Sequence, residues 1–211
     1  MAARRSRIRR AGAKAVSVAS TLPICAIPQA TSSAPCTGAE FLDNEARLYA
    51  DLEARGIVYK VVDHHAVFTV DESRELNASL PGAHTKNLFL RDNDGRFWLV
   101  TVPGEIRVDL KSLPATIGSK RLSFGKAEDL LRLLGLTPGS VTPLGAINDS
   151  GGEVQVVLDR ELAEARTVWV HPLRNTASLG LAGSDLVKAL AGWNHDPQIA
   201  DIPRFAEPAM T

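Results

Sequence analysis

A four-residue turn constrains this chain more than any other feature. Asp92-Asn93-Asp94-Gly95 separates two apolar runs, Thr85–Arg91 and Arg96–Val102, and is made of the residue types that reverse a chain. Strands joined by so short a link pair antiparallel, because a parallel pair needs a crossover of a dozen residues or more. Helical spacing runs over Glu40–Arg55, with Phe41, Leu48 and Leu52 on one side and Gly56 at its end. Asp71–Leu80 is a predicted short helix stopped by Pro81-Gly82, and Val108–Ile117 and Lys126–Leu134 are two more. The last of these is predicted to bury Leu130, Leu131 and Leu134. Ile57–Val62, Val154–Leu158, Thr167–His171 and Thr176–Leu181 read as strands, Thr137–Pro143 as a Gly/Pro loop, and Ser184–Gly192 as a closing helix with Ser184 as N-cap. A hairpin among irregularly alternating strands and helices predicts a mixed α/β (α+β) domain rather than a doubly wound parallel sheet.

Charge divides the chain. The 24 basic and 24 acidic residues cancel, yet no acid precedes Glu40, while Arg4, Arg5, Arg7, Arg9, Arg10 and Lys14 do. Residues 1–39, rich in Ala, Ser, Thr and Pro, bury too little apolar surface to offset ordering and are expected to be disordered. Their Arg-rich, acid-free composition fits an organellar transit peptide or an upstream start wrongly assigned, with a secretory signal third. The acidic body, residues 40–197, is expected to form the single domain, with 198–211 as a tail. Both cysteines, Cys25 and Cys36, lie in the arm, so the body holds no disulfide framework, cysteine nucleophile or thiolate metal site. A cytoplasmic setting is the default, an organellar one the alternative. No apolar run reaches the ~18–20 residues of a membrane span.

GxGxxG, P-loop, HExxH and GxSxG signatures are all missing. Four segments carry polar groups that a plain core does not require. Lys86, in His84-Thr85-Lys86-Asn87-Leu88-Phe89-Leu90, shares a strand face with Leu88 and Leu90. It either snorkels from an edge strand or serves a ligand. Gly139-Ser140-Val141-Thr142-Pro143 is either a simple loop or a backbone cradle for an oxyanion. Gly145-Ala146-Ile147-Asn148-Asp149 is a turn or the wall of a small pocket. His171-Pro172-Leu173-Arg174-Asn175-Thr176 ends a strand on a histidine. The adjacent His64 and His65 would point to opposite faces of a strand and share no metal.

In order and spacing, these segments, with His65-Ala66-Val67-Phe68-Thr69, resemble the YbaK/ProX family of aminoacyl-tRNA editing domains over residues 41–196. The H-T-K-N-L-F-L and G-A-I-N-D pieces are most similar to its free-standing alanyl-tRNA(Pro) hydrolases. His64-His65-Ala66 departs from the His-Pro often found there. The resemblance implies a mixed, largely antiparallel, curved sheet with flanking helices, and hydrolysis of mischarged tRNA(Pro) without cofactor or metal. It implies catalytic roles for Lys86 and Gly139. Asn87, Phe68, Pro143, Gly145, Ala146, Ile147, His171 and Asn175 would bind substrate, with Val170 a further lining candidate. The partners implied are the tRNA(Pro) acceptor end and prolyl-tRNA synthetase, with no membrane. Residues 84–126 hold eight bases against four acids, and Lys120, Arg121 and Lys126 are the expected tRNA contacts. A cysteinyl- or seryl-tRNA deacylase, or a non-catalytic tRNA- or synthetase-binding module, are the alternatives.

Overall fold

The computed structural model describes residues 6–9, 38–65 and 78–205. One nine-stranded mixed sheet runs in the order β1-β2-β8-β7-β3-β4-β6-β9, with β5 beside β3 off that path. The strands are β1 (Ser6–Arg9), β2 (Tyr59–Asp63), β3 (Ala83–Asp92), β4 (Phe97–Pro103), β5 (Leu122–Phe124), β6 (Val154–Asp159), β7 (Val168–Val170), β8 (Ala177–Leu181) and β9 (Gln198–Ala200). Five of the pairings are antiparallel, and β3–β7, β4–β6 and β6–β9 are parallel. The mixed, largely antiparallel sheet expected from the sequence is thus present, and the Asp92–Gly95 turn joins β3 to β4.

The sheet is covered on both faces. Leu48 and Leu52 of α1 (Gly38–Ala54) pack against Phe89, Phe97, Leu99 and Val156 on the first face. They are joined there by Leu130, Leu133 and Leu134 of α3 (Ala127–Leu134) and Leu186, Ala189 and Leu190 of α5 (Gly183–Gly192). Each leucine so buried contributes ~1.5–3 kcal/mol of transfer free energy. The second face carries Leu90, Trp98, Val100, Val102 and Val157 under Leu113 and Ile117 of α2 (Leu113–Ile117).

Several local expectations change. Leu131 is 41 % exposed and Leu133 takes its place in the core. The helix expected over Val108–Ile117 forms only from Leu113. Upstream, Val108 bridges Arg204, and Asp109 accepts from the Lys111 N–H and the Ser112 hydroxyl in a turn. Ala182, not Ser184, is the N-cap of α5 and makes no side-chain cap bond. Residues 198–200, read as tail, pair with β6, and Phe205 N–H bonds Arg107 O. A short α4 (Arg160–Glu164), capped by Asp159 through the Glu161 N–H, was not expected. Within the basic arm, β1 pairs with β2; the remaining residues up to 37, Phe68 and the expected helix from Asp71 as far as residue 77 lie outside the described residues. Among the described residues no helix is long and apolar enough to cross a membrane.

Candidate functional site

β3 is the spine of the site, and its two edges differ. Toward β4, register pairs run without a break from Thr85–Pro103 to Arg91–Phe97. On the other edge β7 pairs only with Ala83 and His84, and β5 only with Leu90–Asp92. Between them the sheet splits, and Asn87 and its neighbours have no strand beside them on that edge.

Lys86 is half-buried at the split. Its Nζ donates to Ile106 O at 2.6 Å, and among the described residues no carboxylate pairs with it. An ammonium has three donors, so two remain for a ligand. A half-buried cation without a counter-charge is costly unless an anionic or polar ligand completes it.

Asn87 points to the opposite face. Its Nδ2 donates to Val141 O and its Oδ1 accepts from Thr101 Oγ1, both at 2.9 Å. Rather than standing free for substrate, the amide fastens the Gly139–Pro143 loop to β3. Thr101 was not singled out in the sequence, although the hairpin register that puts it opposite Asn87 follows from the turn.

In the loop, Gly139 has φ +92°, a left-handed conformation that suits glycine, and its open side faces Asn175 Nδ2. Ser140 N–H is consumed by Thr137 O at 3.0 Å, and its buried hydroxyl also donates to Thr137 O. The N–H groups of Gly139, Val141 and Thr142 have no partner among the described residues. Buried Pro143 begins a 3₁₀ turn over Pro143–Asn148, preceded by Thr142, whose side chain accepts from Leu144 N–H. Gly145 is tightly packed: an added Cβ would lie 2.6 Å from Leu136 Cδ1. Ala146 is buried in the first-face core, and Ile147 is half-buried against it.

β7 runs parallel to β3 with Ala83 opposite Val168, and His171 follows its last residue, Val170. His171 Nδ1 bonds Ala177 O at 3.0 Å. A carbonyl only accepts, so Nδ1 carries the proton and the neutral ring offers Nε2 as an acceptor. Burial holds the His171 pKa below the usual histidine value, against the Ala177 bond and with help from the charge of His64. His64 directly follows β2, with Nδ1 donating to His65 O and Nε2 hydrogen-bonded to the Ser178 hydroxyl of β8 at 3.0 Å.

The loop after His171 is clamped by Arg174, whose role no sequence pattern marks. Arg174 donates to Glu45 of α1 at 2.9 Å, to Asp63 at 2.6 Å and to Thr176 Oγ1 at 2.8 Å. Within the loop Leu173 adopts φ +65°, uncommon for a non-glycine residue. The sequence shows no periodicity here, and only the ion pairs reveal the clamp.

Asn87, the Gly139–Pro143 loop and Asn175 therefore meet at the split, with Lys86 on the reverse face of β3 and His171 just past the end of β7. Lys120, Arg121 and Lys126 are all exposed and lie along the β5 side of β3.

Residues 64–189, which contain all of these groups, match the aminoacyl-tRNA editing domain family. The chain is 38% identical over 148 residues to the prolyl-tRNA editing protein ProX of Acetoanaerobium sticklandii, covering 70% of this chain and 90% of that protein. It is 36% identical over 166 residues to the prolyl-tRNA synthetase associated domain-containing protein 1 of Mus musculus, covering 74% and 98%. The crystal structure of a hypothetical protein, APE2540, matches with a TM-score of 0.60 at 23% identity over 75% of this chain and 98% of that one, a likeness of fold alone. A family match across the split sheet and both its loops, together with relatives aligned over most of their length, makes this chain a member of the aminoacyl-tRNA editing domain family, of the YbaK/ProX kind.

Proposed function

We propose that the chain is a trans-editing hydrolase of mischarged tRNA(Pro), acting on the alanyl ester. The observation that carries this reading is the Lys86 ammonium, without an ion pair among the described residues, at a split in the sheet where the next residue, Asn87, fastens a loop whose Gly139, Val141 and Thr142 N–H groups have no partner among those residues. The naming of the Acetoanaerobium sticklandii relative as a prolyl-tRNA editing protein supports the choice of tRNA.

Such an enzyme answers a limit of size selection. A pocket built for proline rejects the smaller alanine by only ~1–3 kcal/mol, so the error is removed elsewhere. Lys86 holds the terminal adenosine through its phosphate or ribose oxygens, placing the ester beside the Gly139–Pro143 loop. Water adds to the ester carbonyl carbon, and the resulting oxyanion is received by N–H groups of the Gly139–Pro143 loop that have no partner among the described residues. The water's proton passes through the neighbouring ribose hydroxyl to the departing ribose oxygen as the acyl C–O bond breaks, which yields alanine and uncharged tRNA. His171 Nε2, with Asn175, orients the aminoacyl group as an acceptor. Asn87 acts through the loop it fastens, and Gly145 and Ala146 act from behind, letting the 3₁₀ turn press against Leu136.

The test is a deacylation panel of tRNA(Pro) charged with alanine, cysteine, serine or proline. Wild type is expected to hydrolyse the alanyl ester fastest and spare the prolyl ester, and Lys86→Ala to lose about 10²–10³-fold in rate. Hydrolysis of none of the four would point to a binding module, and full activity of Lys86→Ala would remove the lysine from the mechanism.

A further inference from the structure

The face of β3 that carries Lys86 continues into a line of groups that the hydrolysis does not use. Residues directly opposite across an antiparallel ladder share a face, so Phe124, opposite Leu90, stands on the Lys86 side. The bond from Gly125 N–H to Phe89 O, 2.9 Å, extends this register by one residue and sets Lys126 opposite Leu88. At strand rise, Lys126 comes ~7 Å and Phe124 ~13 Å along from Lys86, with Arg121 beyond them at ~23 Å and Lys120 past it.

Phe124 is 65 % exposed, although Leu90 beside it is buried. Lys120, Arg121 and Lys126 are exposed too, and none has an ion-pair partner among the described residues. An exposed aromatic ring flanked by uncompensated cations has the chemistry of a single-stranded RNA contact, where rings stack on bases and cations meet phosphates. Stacked nucleotides rise about 3.4 Å each, so ~13 Å spans about four, the length of the unpaired 3′ end of a tRNA.

We infer that Phe124 is a stacking platform for the unpaired base at the root of the tRNA 3′ end, measuring off the distance at which the ester reaches Lys86. This rests on the editing reading above and adds a sequence-tolerant aromatic contact between the catalytic end and the cations that hold the stem.

The test uses the full chain and two uncharged RNA hairpins with one acceptor stem, the first ending in four unpaired 3′ nucleotides and the second blunt. Phe124→Ala is expected to weaken binding of the overhang hairpin about tenfold at every salt concentration, leaving the salt slope and the blunt hairpin unchanged. Phe124→Trp restores the overhang binding. Wild-type overhang binding by Phe124→Ala, equal weakening of both hairpins, or failure of tryptophan to restore binding would each overturn the inference. So would loss of prolyl-tRNA synthetase binding with RNA binding intact, since the occupant would then be a protein. Deacylation of alanyl-tRNA(Pro) is measured alongside. A wild type that deacylates while Phe124→Ala binds normally retires only the stacking platform, whereas a wild type that hydrolyses no charged tRNA retires the editing reading and this inference together.

Discussion

The two edges of β3 do opposite work. The edge toward β4 is paired along Thr85–Arg91, and every residue of β4 is buried, so this side fixes the strand. The other edge is held only at its ends, by β7 and by β5, and Lys86 lies in the interval between them. A site needs both properties: a reactive side chain locked in place by its support, and an opening beside it. The faces differ in the same way. Asn87 has its amide tied to Val141 and Thr101, while Lys86 on the reverse has one carbonyl partner among the described residues.

Of the changes that leave Lys86 itself in place, untying the fixed face is expected to have the largest effect. Asn87→Ala frees the Gly139–Pro143 loop without touching Lys86, and a displacement of ~1 Å there lowers kcat/KM on alanyl-tRNA(Pro) by about 100-fold. Val141 O also loses a bond, at a cost of ~1–3 kcal/mol in stability by thermal melting. A variant that keeps wild-type kinetics would show that the loop holds its shape unaided.

Gly145→Ala asks whether that residue lines the site or packs behind it. Its new methyl meets Leu136, itself fully buried, so a loss of ~1–3 kcal/mol is expected, about 2–4 °C in Tm for each. An unchanged Tm with altered amino-acid selectivity would instead move Gly145 to the pocket wall.

The smallest effect belongs to the open face. His171 serves as an acceptor only while neutral, and its depressed pKa keeps it neutral through physiological pH. The rate should therefore be level there and fall only as pH drops below the ordinary histidine value. His64→Asn removes a positive charge that lowers the His171 pKa, so the acid limb of the pH–rate profile shifts to higher pH. An unmoved or oppositely moved limb would sever the two histidines.

What the sequence made legible was local. The hairpin follows from Asp92–Gly95, and α1 from the spacing of Leu48 and Leu52. Lys86 stood out because a lysine interrupted an apolar strand face. The three-residue strands β5 and β9 are too short to show alternation, and they exist because β3 and β6 offer them an edge. Val108 reads as helical until Arg204, far along the chain, claims it. At the site, the Arg174 clamp depends on Glu45 and Asp63, which no spacing rule ties to it, and the split in the sheet is a property of three strands at once.

The Thr85 hydroxyl bonds Trp169 O across 84 residues, and Arg47 reaches Asn148 across 101. Contacts of such sequence separation are late and slow to form, because the entropy of closing the loop comes before any reward. During synthesis Lys86 leaves the ribosome long before the strand that will flank it. The split beside Lys86 therefore cannot form until β7 and β8 have emerged and docked, and a chain stalled before them carries the lysine without the strand that flanks it.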